Sequence, residues 1–334
     1  MNDIARPTAE ITDERVVTYY DQPSIKPSLW GWLVSSYMFA AGLGGSAQII
    51  ATAADLGAGR DLAPLVRNGR YIALASALAS GPLLIADLHT PQRWYNMLRI
   101  FRKTSPMSIG TWVLMSFGSL SAILAAVQFV KDRGYNPSRT AETTMKLLEI
   151  PAALTGMAMT TYTGALLSAT STPLWAAAPR QVAAVFGASA MASGTAALTI
   201  AEQYGVKANG ARRTLDRIGL ATSAVELALL LSLRRRLREQ GVDGPLSETG
   251  WGLAYDLGVI ALGAGVPVLH HSARALKPEP APRSGLMIPL AILAGGLLLR
   301  HVLLRAGNTS AKRPKDYFRF AGVPKAEPAM RPLP

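Results

Sequence analysis

The sequence predicts an all-α integral membrane protein with eight transmembrane helices, on three observations. Hydrophobic residues make up 49% of the 334 residues and charged residues only 16%, against roughly 25% charged in ordinary soluble domains. The charges are clustered, with long uncharged runs alternating with short basic groups, and this excludes an ordinary soluble enzyme. The net charge of +13 comes from 34 Lys and Arg against 21 Asp and Glu. Most of that excess lies between the apolar runs or in the tails, where it suits lipid headgroups rather than nucleic acid.

A bilayer core needs about 20 apolar residues in helical form, and eight segments meet or approach that length. Residues 29–54 are uncharged; residues 71–86 are apolar and end at Asp87. Residues 104–130 and 150–179 are uncharged and long enough to include loop residues, and 181–201 forms the fifth segment. Residues 218–233 are interrupted by Glu226, residues 250–269 by Asp256, and residues 284–299 complete the set. Small residues recur within these runs, as in Gly42-Leu-Gly44-Gly45 and Ala261-Leu-Gly-Ala-Gly265. In lipid, where packing replaces the hydrophobic effect, small residues let helix backbones approach closely.

The expected organisation is a polar tail over 1–28, a first helical unit over 29–179, a second over 180–305 and a Pro-rich basic tail over 306–334. The N-terminal stretch has no short apolar core followed by a cleavage site, so no signal peptide is expected. Loops one, three, five and seven carry more Lys and Arg than loops two, four and six. By the positive-inside rule this places both termini outside a cell inner or plasma membrane, although the basic C-terminal tail argues the other way. The chain has no cysteine, so it can carry neither a thiolate-ligated metal nor an iron–sulfur cluster held by cysteines. Haem b needs two histidines on facing helices at one depth. His270 and His301 end antiparallel segments and His89 lies in a loop, so no haem is expected, and no protein-bound metal site either. Arg234-Arg235-Arg236-Leu-Arg238 follows an apolar run and reads as a membrane-surface clamp rather than a nucleic-acid patch.

The most informative stretch runs from Gly81-Pro82 through Asp87-Leu-His89-Thr-Pro91-Gln-Arg93 and Asn96-Met97-Leu98-Arg99 to Ser105-Pro106-Met107-Ser108-Ile-Gly110-Thr-Trp112. Proline removes one backbone hydrogen bond from the second helix. An acid then stands at the membrane boundary beside a histidine. A carboxylate there can accept protons from a quinol, or can serve as a structural staple to Arg93.

Together with Tyr37-Met-Phe39-Ala-Ala-Gly42-Leu-Gly-Gly45 and Tyr162-Thr163-Gly164-Ala-Leu166-Leu167-Ser168, followed by Pro173-Leu174-Trp175, this stretch resembles the NrfD/PsrC family of membrane subunits. The resemblance covers helices one to four by motif and the later helices by number and texture. The family usually has Gly-Arg after the Asp-Leu pair, where this sequence has His89-Thr90. The resemblance implies two four-helix bundles, with menaquinone or ubiquinone bound in the first bundle near the outer face. It also implies a ferredoxin-like iron–sulfur partner that exchanges electrons with the quinol, and a molybdopterin-type or other catalytic subunit beyond it. Polysulfide and nitrite reductases and alternative complex III have such anchors. On this basis the candidate site combines Asp87 and His89 as proton acceptors with Tyr37 and Tyr162 as hydrogen-bonding groups. Gly42 and Gly45 would leave room for a flat ring.

Ionisable groups within a bilayer are costly and by default mark function. Glu226 and Asp256 sit inside apolar segments, with Glu149 and Glu202 at the opposite membrane face, and the four compose a candidate proton path. Two further readings stay open: an ion or small-solute transporter using Glu226 and Asp256, and a structural anchor whose quinone site has decayed.

Overall fold

The computed structural model describes residues 25–57, 62–135, 138–204, 209–275 and 285–321. Residues 1–24, most of the N-terminal tail, and 322–334, the end of the C-terminal one, lie outside the described residues. Every regular element among those described is helical, as expected where a segment in lipid must satisfy its own backbone N–H and C=O groups.

The chain opens with α1 (Trp32–Gly57) and α2 (Ala63–Ala86), then a 3-10 turn (Pro91–Arg93) and the short α3 (Asn96–Arg99). Next come α4 (Pro106–Asp132), α5 (Arg139–Ser168), the short α6 (Pro173–Ala176) and α7 (Pro179–Tyr204). The remainder is α8 (Asn209–Glu239), α9 (Gly244–Ser247), α10 (Gly250–Leu253), a π-helical stretch (Ala254–Gly265), α11 (Val266–Ala275), α12 (Met287–Ala311) and α13 (Pro314–Phe320).

Among the described residues six stretches are long and apolar enough to cross a membrane, against the eight the sequence predicts: α1, α2, α4, α7, the run from α10 to α11, and α12. The other two, α5 and α8, are 30 and 31 residues long but charged at their ends. Arg139, Glu142, Lys146 and Glu149 open α5, while arginines stand in the first and last turns of α8.

The boundaries also differ in instructive ways. The fourth segment begins at Arg139 rather than 150, because Ser138 caps the helix, accepting from the Ala141 N–H at 3.3 Å. The helix carries Pro151 inside it and stops at Ser168, before the chain turns through Thr170 and Thr172 into α6. The sixth extends by polar turns at both ends, and the eighth continues past 299 to Ala311. Arg300 and His301 therefore lie within α12 rather than at its end, and the tail boundary placed at 306 falls inside a helix. The seventh changes to π geometry for 12 residues, a conformation otherwise met as single turns, often at functional sites.

Helix α1 is central, packing against α2, α5, α7 and α12. Its glycines allow this. A Cβ on Gly44 would stand 2.5 Å from the Ser76 Cβ of α2, and one on Gly45 would collide with the Gly156 carbonyl of α5. Gly263 and Gly295 similarly bring the π stretch and α12 into backbone contact. Large side chains such as Trp175, Phe117, Phe186 and Met38 fill the interior, while Leu78, Leu154, Leu269 and Leu290 point outward. An apolar outer surface of that kind fits lipid as its surroundings.

The face where α1 and α4 begin and α2, α5 and α12 end is termed proximal here, and the opposite one distal. On the proximal face α13 is tied down by Arg313, which donates to Glu248 at 2.8 Å, and by Arg319, which donates to the Gly241 carbonyl at 3.2 Å.

Candidate functional site

A cleft opens at the proximal face between α1, α2, α4 and α5. It is lined by Trp30, Val34, Tyr37, Leu84, Asp87, Leu88, Met97, Met107, Gly110, Thr111, Tyr162 and Leu166, with about 50 Å³ of free space. Three residues expected to form the site, Tyr37, Asp87 and Tyr162, come from three different helices and share its wall.

Their placement follows from the helices that carry them. Tyr37 is five residues into α1, about 7.5 Å along its axis at 1.5 Å per residue. Asp87 is the C-cap of α2, and Tyr162 lies six residues before the end of α5, about 9 Å from it. Antiparallel neighbours thus bring the start of one helix and the ends of two others to one depth.

The three differ in their partners. Tyr37 is 3% exposed, and among the described residues its hydroxyl makes no hydrogen bond. The half-buried Asp87 carboxyl likewise has neither a hydrogen bond nor an ion pair among them, so the staple to Arg93 is not formed. Burial raises the Asp87 carboxyl above its ordinary range, while His89 pulls it down. Tyr162, in contrast, donates to the Pro106 carbonyl at 2.5 Å. Its ring lies against Gly110, where any Cβ would collide with it. Ser105 caps α4 by accepting from the Ser108 N–H at 3.4 Å, and Thr111 donates to the Met107 carbonyl at 3.1 Å. The Ser-Pro-Met-Ser-x-Gly run thereby sets both the helix start and the slot for Tyr162.

The other expected site residues lie elsewhere. His89 is exposed on the turn after Asp87 and does not line the cleft. Gly42 faces Ala190 and the Arg300 guanidinium, and Gly45 faces Gly156, both at helix contacts.

The four acids of the candidate proton path occupy separate environments. Glu149 is fully buried and paired with Arg70. Arg70 also donates to Gln128 at 2.6 Å and to Asp55 at 3.2 Å. Glu202 accepts from Asn68 at 2.7 Å. Glu226 is 3% exposed and lies beside Ser189 and Arg300, with its Oε2 atom unpartnered. Asp256 is not buried: its side chain is 48% exposed and accepts from Arg234 at 3.4 Å.

Two features went unforeseen in the sequence. Arg300, buried completely, donates to the carbonyls of Met38, Phe186 and Gly296 and to the Ser189 hydroxyl, joining α1, α7 and α12. The signal for it was a charge that ends an apolar run without ending the helix. Trp30, just before α1, stacks on Trp175 with centroids 6.3 Å apart and planes at 23°. No local pattern announces that pair.

Of the histidines, His271 lies 3.6 Å from Asp216 at the distal side. His301 lies 3.2 Å from the Ser35 hydroxyl at the proximal side.

Comparison with known proteins agrees with this architecture. The family described as polysulphide reductase, NrfD, matches residues 22–311. The C subunit of polysulfide reductase from Wolinella succinogenes is 26% identical over 307 residues, spanning 84% of the present sequence and 95% of that protein. A match running from the segment before α1 to the last residue of α12 takes in the whole membrane part, and the chain belongs to the NrfD family of polysulphide reductase membrane subunits.

Proposed function

We propose that this protein is the quinone-reactive subunit of a multi-subunit oxidoreductase, and that the proximal cleft binds the quinone ring. One observation carries the reading: Tyr37 and Asp87 converge on one cleft with their polar groups unspent. Both groups face a mostly apolar cleft with hydrogen-bonding capacity to spare, and a ligand carbonyl or hydroxyl would take it up. Quinol oxidation releases two electrons and two protons. In this reading Asp87 accepts the proton of one ring hydroxyl, and the other hydroxyl loses its proton to water at the mouth of the cleft. Both electrons pass to the partner's iron–sulfur clusters, and Tyr37 donates a hydrogen bond to an oxygen of the quinone so formed. Tyr162 holds the Pro106–Gly110 turn in place and can re-aim its hydroxyl once a ligand arrives. The cleft opens at the face where α13 and the amphipathic α3 lie, which suits docking of a subunit bearing iron–sulfur clusters and, beyond it, a catalytic subunit. The same reading takes α5 and α8 as membrane-crossing, for eight helices in two bundles of four, in a cell membrane with both termini outside. The quinone is menaquinone or ubiquinone.

The test uses the assembled complex. Asp87→Asn, Tyr37→Phe and Tyr162→Phe are expected to depress quinol-linked electron transfer while the subunits still copurify. Full activity in all three variants would remove the cleft from consideration.

A second reading, movement of protons through the α8 half, is favoured by the unpartnered Glu226 Oε2 in the membrane interior. Glu226→Gln should lower the protons moved per electron in vesicles while leaving quinol oxidation in detergent intact. An unchanged ratio would set this reading aside.

A further inference from the structure

The wall of the cleft opposite the helix ends is made by a segment that is not helical. Residues 25–31 lead without regular structure into α1, and one side chain of α12 holds Ser28 among them. The Ser28 N–H and hydroxyl both donate to Asn308 Oδ1, at 3.1 and 3.0 Å, and Asn308 Nδ2 donates back to the Ser28 carbonyl at 3.2 Å. Two residues further on, Trp30 lines the cleft and stacks on Trp175. Trp175 is itself immobile. It is fully buried, donates through Nε1 to the Leu303 carbonyl at 2.8 Å, and occupies the space a Cβ on Gly307 would need. Trp30 thus stacks on Trp175, stands two residues after the Ser28 that Asn308 holds, and lines the cleft.

The free space of about 50 Å³ is well below the roughly 300–1,000 Å³ of ordinary small-molecule pockets, so the cleft must widen to admit a ring. Parting α1, α2 and α5 would give up the close backbone contacts that Gly44 and Gly45 allow. Shifting side chains is the less costly source of room, and Met97, Met107 and Trp30 of the lining can supply it. Of these, Trp30 offers a broad, electron-rich face. A quinone ring is electron-poor and stacks well on such a face, whereas the reduced ring is electron-rich and gains less.

We infer that Trp30 is the ring-contacting wall of the cleft and that Asn308 is a positioning residue holding it there. The last membrane helix then tunes both the affinity and the redox preference of a site built by the early helices. This rests on the quinone reading given above.

The experiment measures binding of decylubiquinone and decylubiquinol to the assembled complex in detergent, together with steady-state kinetics. Trp30→Ala should weaken quinone binding about tenfold, the scale of one aromatic contact, and weaken quinol binding less. Trp30→Phe should recover most of the loss. Asn308→Ala should act in the same direction by a smaller factor, raising KM with kcat unchanged. Ser28→Ala, which removes one of the three hydrogen bonds, should have the smallest effect and serves if Asn308→Ala does not assemble. A wild-type complex that binds neither probe would sink the quinone reading and this inference with it. Binding in the wild type with unchanged affinities in the Trp30 and Asn308 variants would overturn this inference alone. So would equal weakening toward both redox forms without rescue by phenylalanine.

Discussion

The two ends of α2 carry opposite solutions to the same problem. Near the distal end, Arg70 sits 2% exposed and spends its guanidinium on Glu149, Asp55 and Gln128. The network continues through Gln128, which donates to Asp132 at 2.9 Å, and through Tyr71, which donates to the same carboxylate at 2.7 Å. At the proximal end Asp87 has a raised carboxyl and no partner among the described residues. A network that satisfies most of its members staples helices together, whereas a group left open at a cleft is available for chemistry. Pairing with a cation, rather than burial alone, separates the two acids: Glu149 is held by Arg70, with its Oε2 left unpartnered, whereas Asp87 has no ion pair among the described residues.

The sharpest way to break this contrast is Arg70→Ala. It strands a fully buried Glu149 beside Asp55, a loss on the order of 3–5 kcal/mol, and should lower the yield and the Tm of the complex in detergent. Replacing both partners by leucine should recover much of that loss. A stable Arg70→Ala protein would deny the network its structural role.

Next in size is Asp87→Asn, with the opposite signature. The Tm should hardly move while quinol turnover falls roughly 10²- to 10⁴-fold, the usual range for a lost acid–base group. If stability falls instead and turnover persists, the two ends of the helix are alike after all.

Gly110→Ala should have an intermediate effect. The added methyl meets the Tyr162 ring, so the ring must leave its slot at an overpacking cost of about 1–3 kcal/mol, read as a lower Tm and a raised KM for quinol.

The mildest expected change concerns pH. Asp87 accepts a proton only when ionised, and burial raises its pKa, so the acid limb of quinol oxidation should lie above the ordinary aspartate range. His89 lowers that pKa, so His89→Ala should move the limb to higher pH. Asp87→Asn should abolish it. A limb that ignores both variants belongs to another group.

Much of this was legible along the chain. Uncharged runs marked six of the long helices, since helices crossing lipid must be apolar almost throughout. The start of α5 was hidden because Glu142, Lys146 and Glu149 look like loop residues until Glu149 is seen paired with Arg70. The ends of α8 and α12 were hidden by their arginines, of which Arg300 turns inward to four acceptors instead of ending the helix. The motifs of the family resemblance put Tyr37, Asp87 and Tyr162 in one candidate site. They could not say that Tyr162 is already engaged by Pro106 while Tyr37 is free.

Composition and run length by themselves determined that this is a helical membrane protein without cysteine ligands, because the cost of placing charge or open backbone in hydrocarbon is read residue by residue. Which acids are paired, which hydroxyl faces a cleft, and that Trp30 rests on Trp175 were decided only by the tertiary structure. Each of those depends on contacts between residues far apart in the chain, and a one-dimensional pattern carries no distance between them.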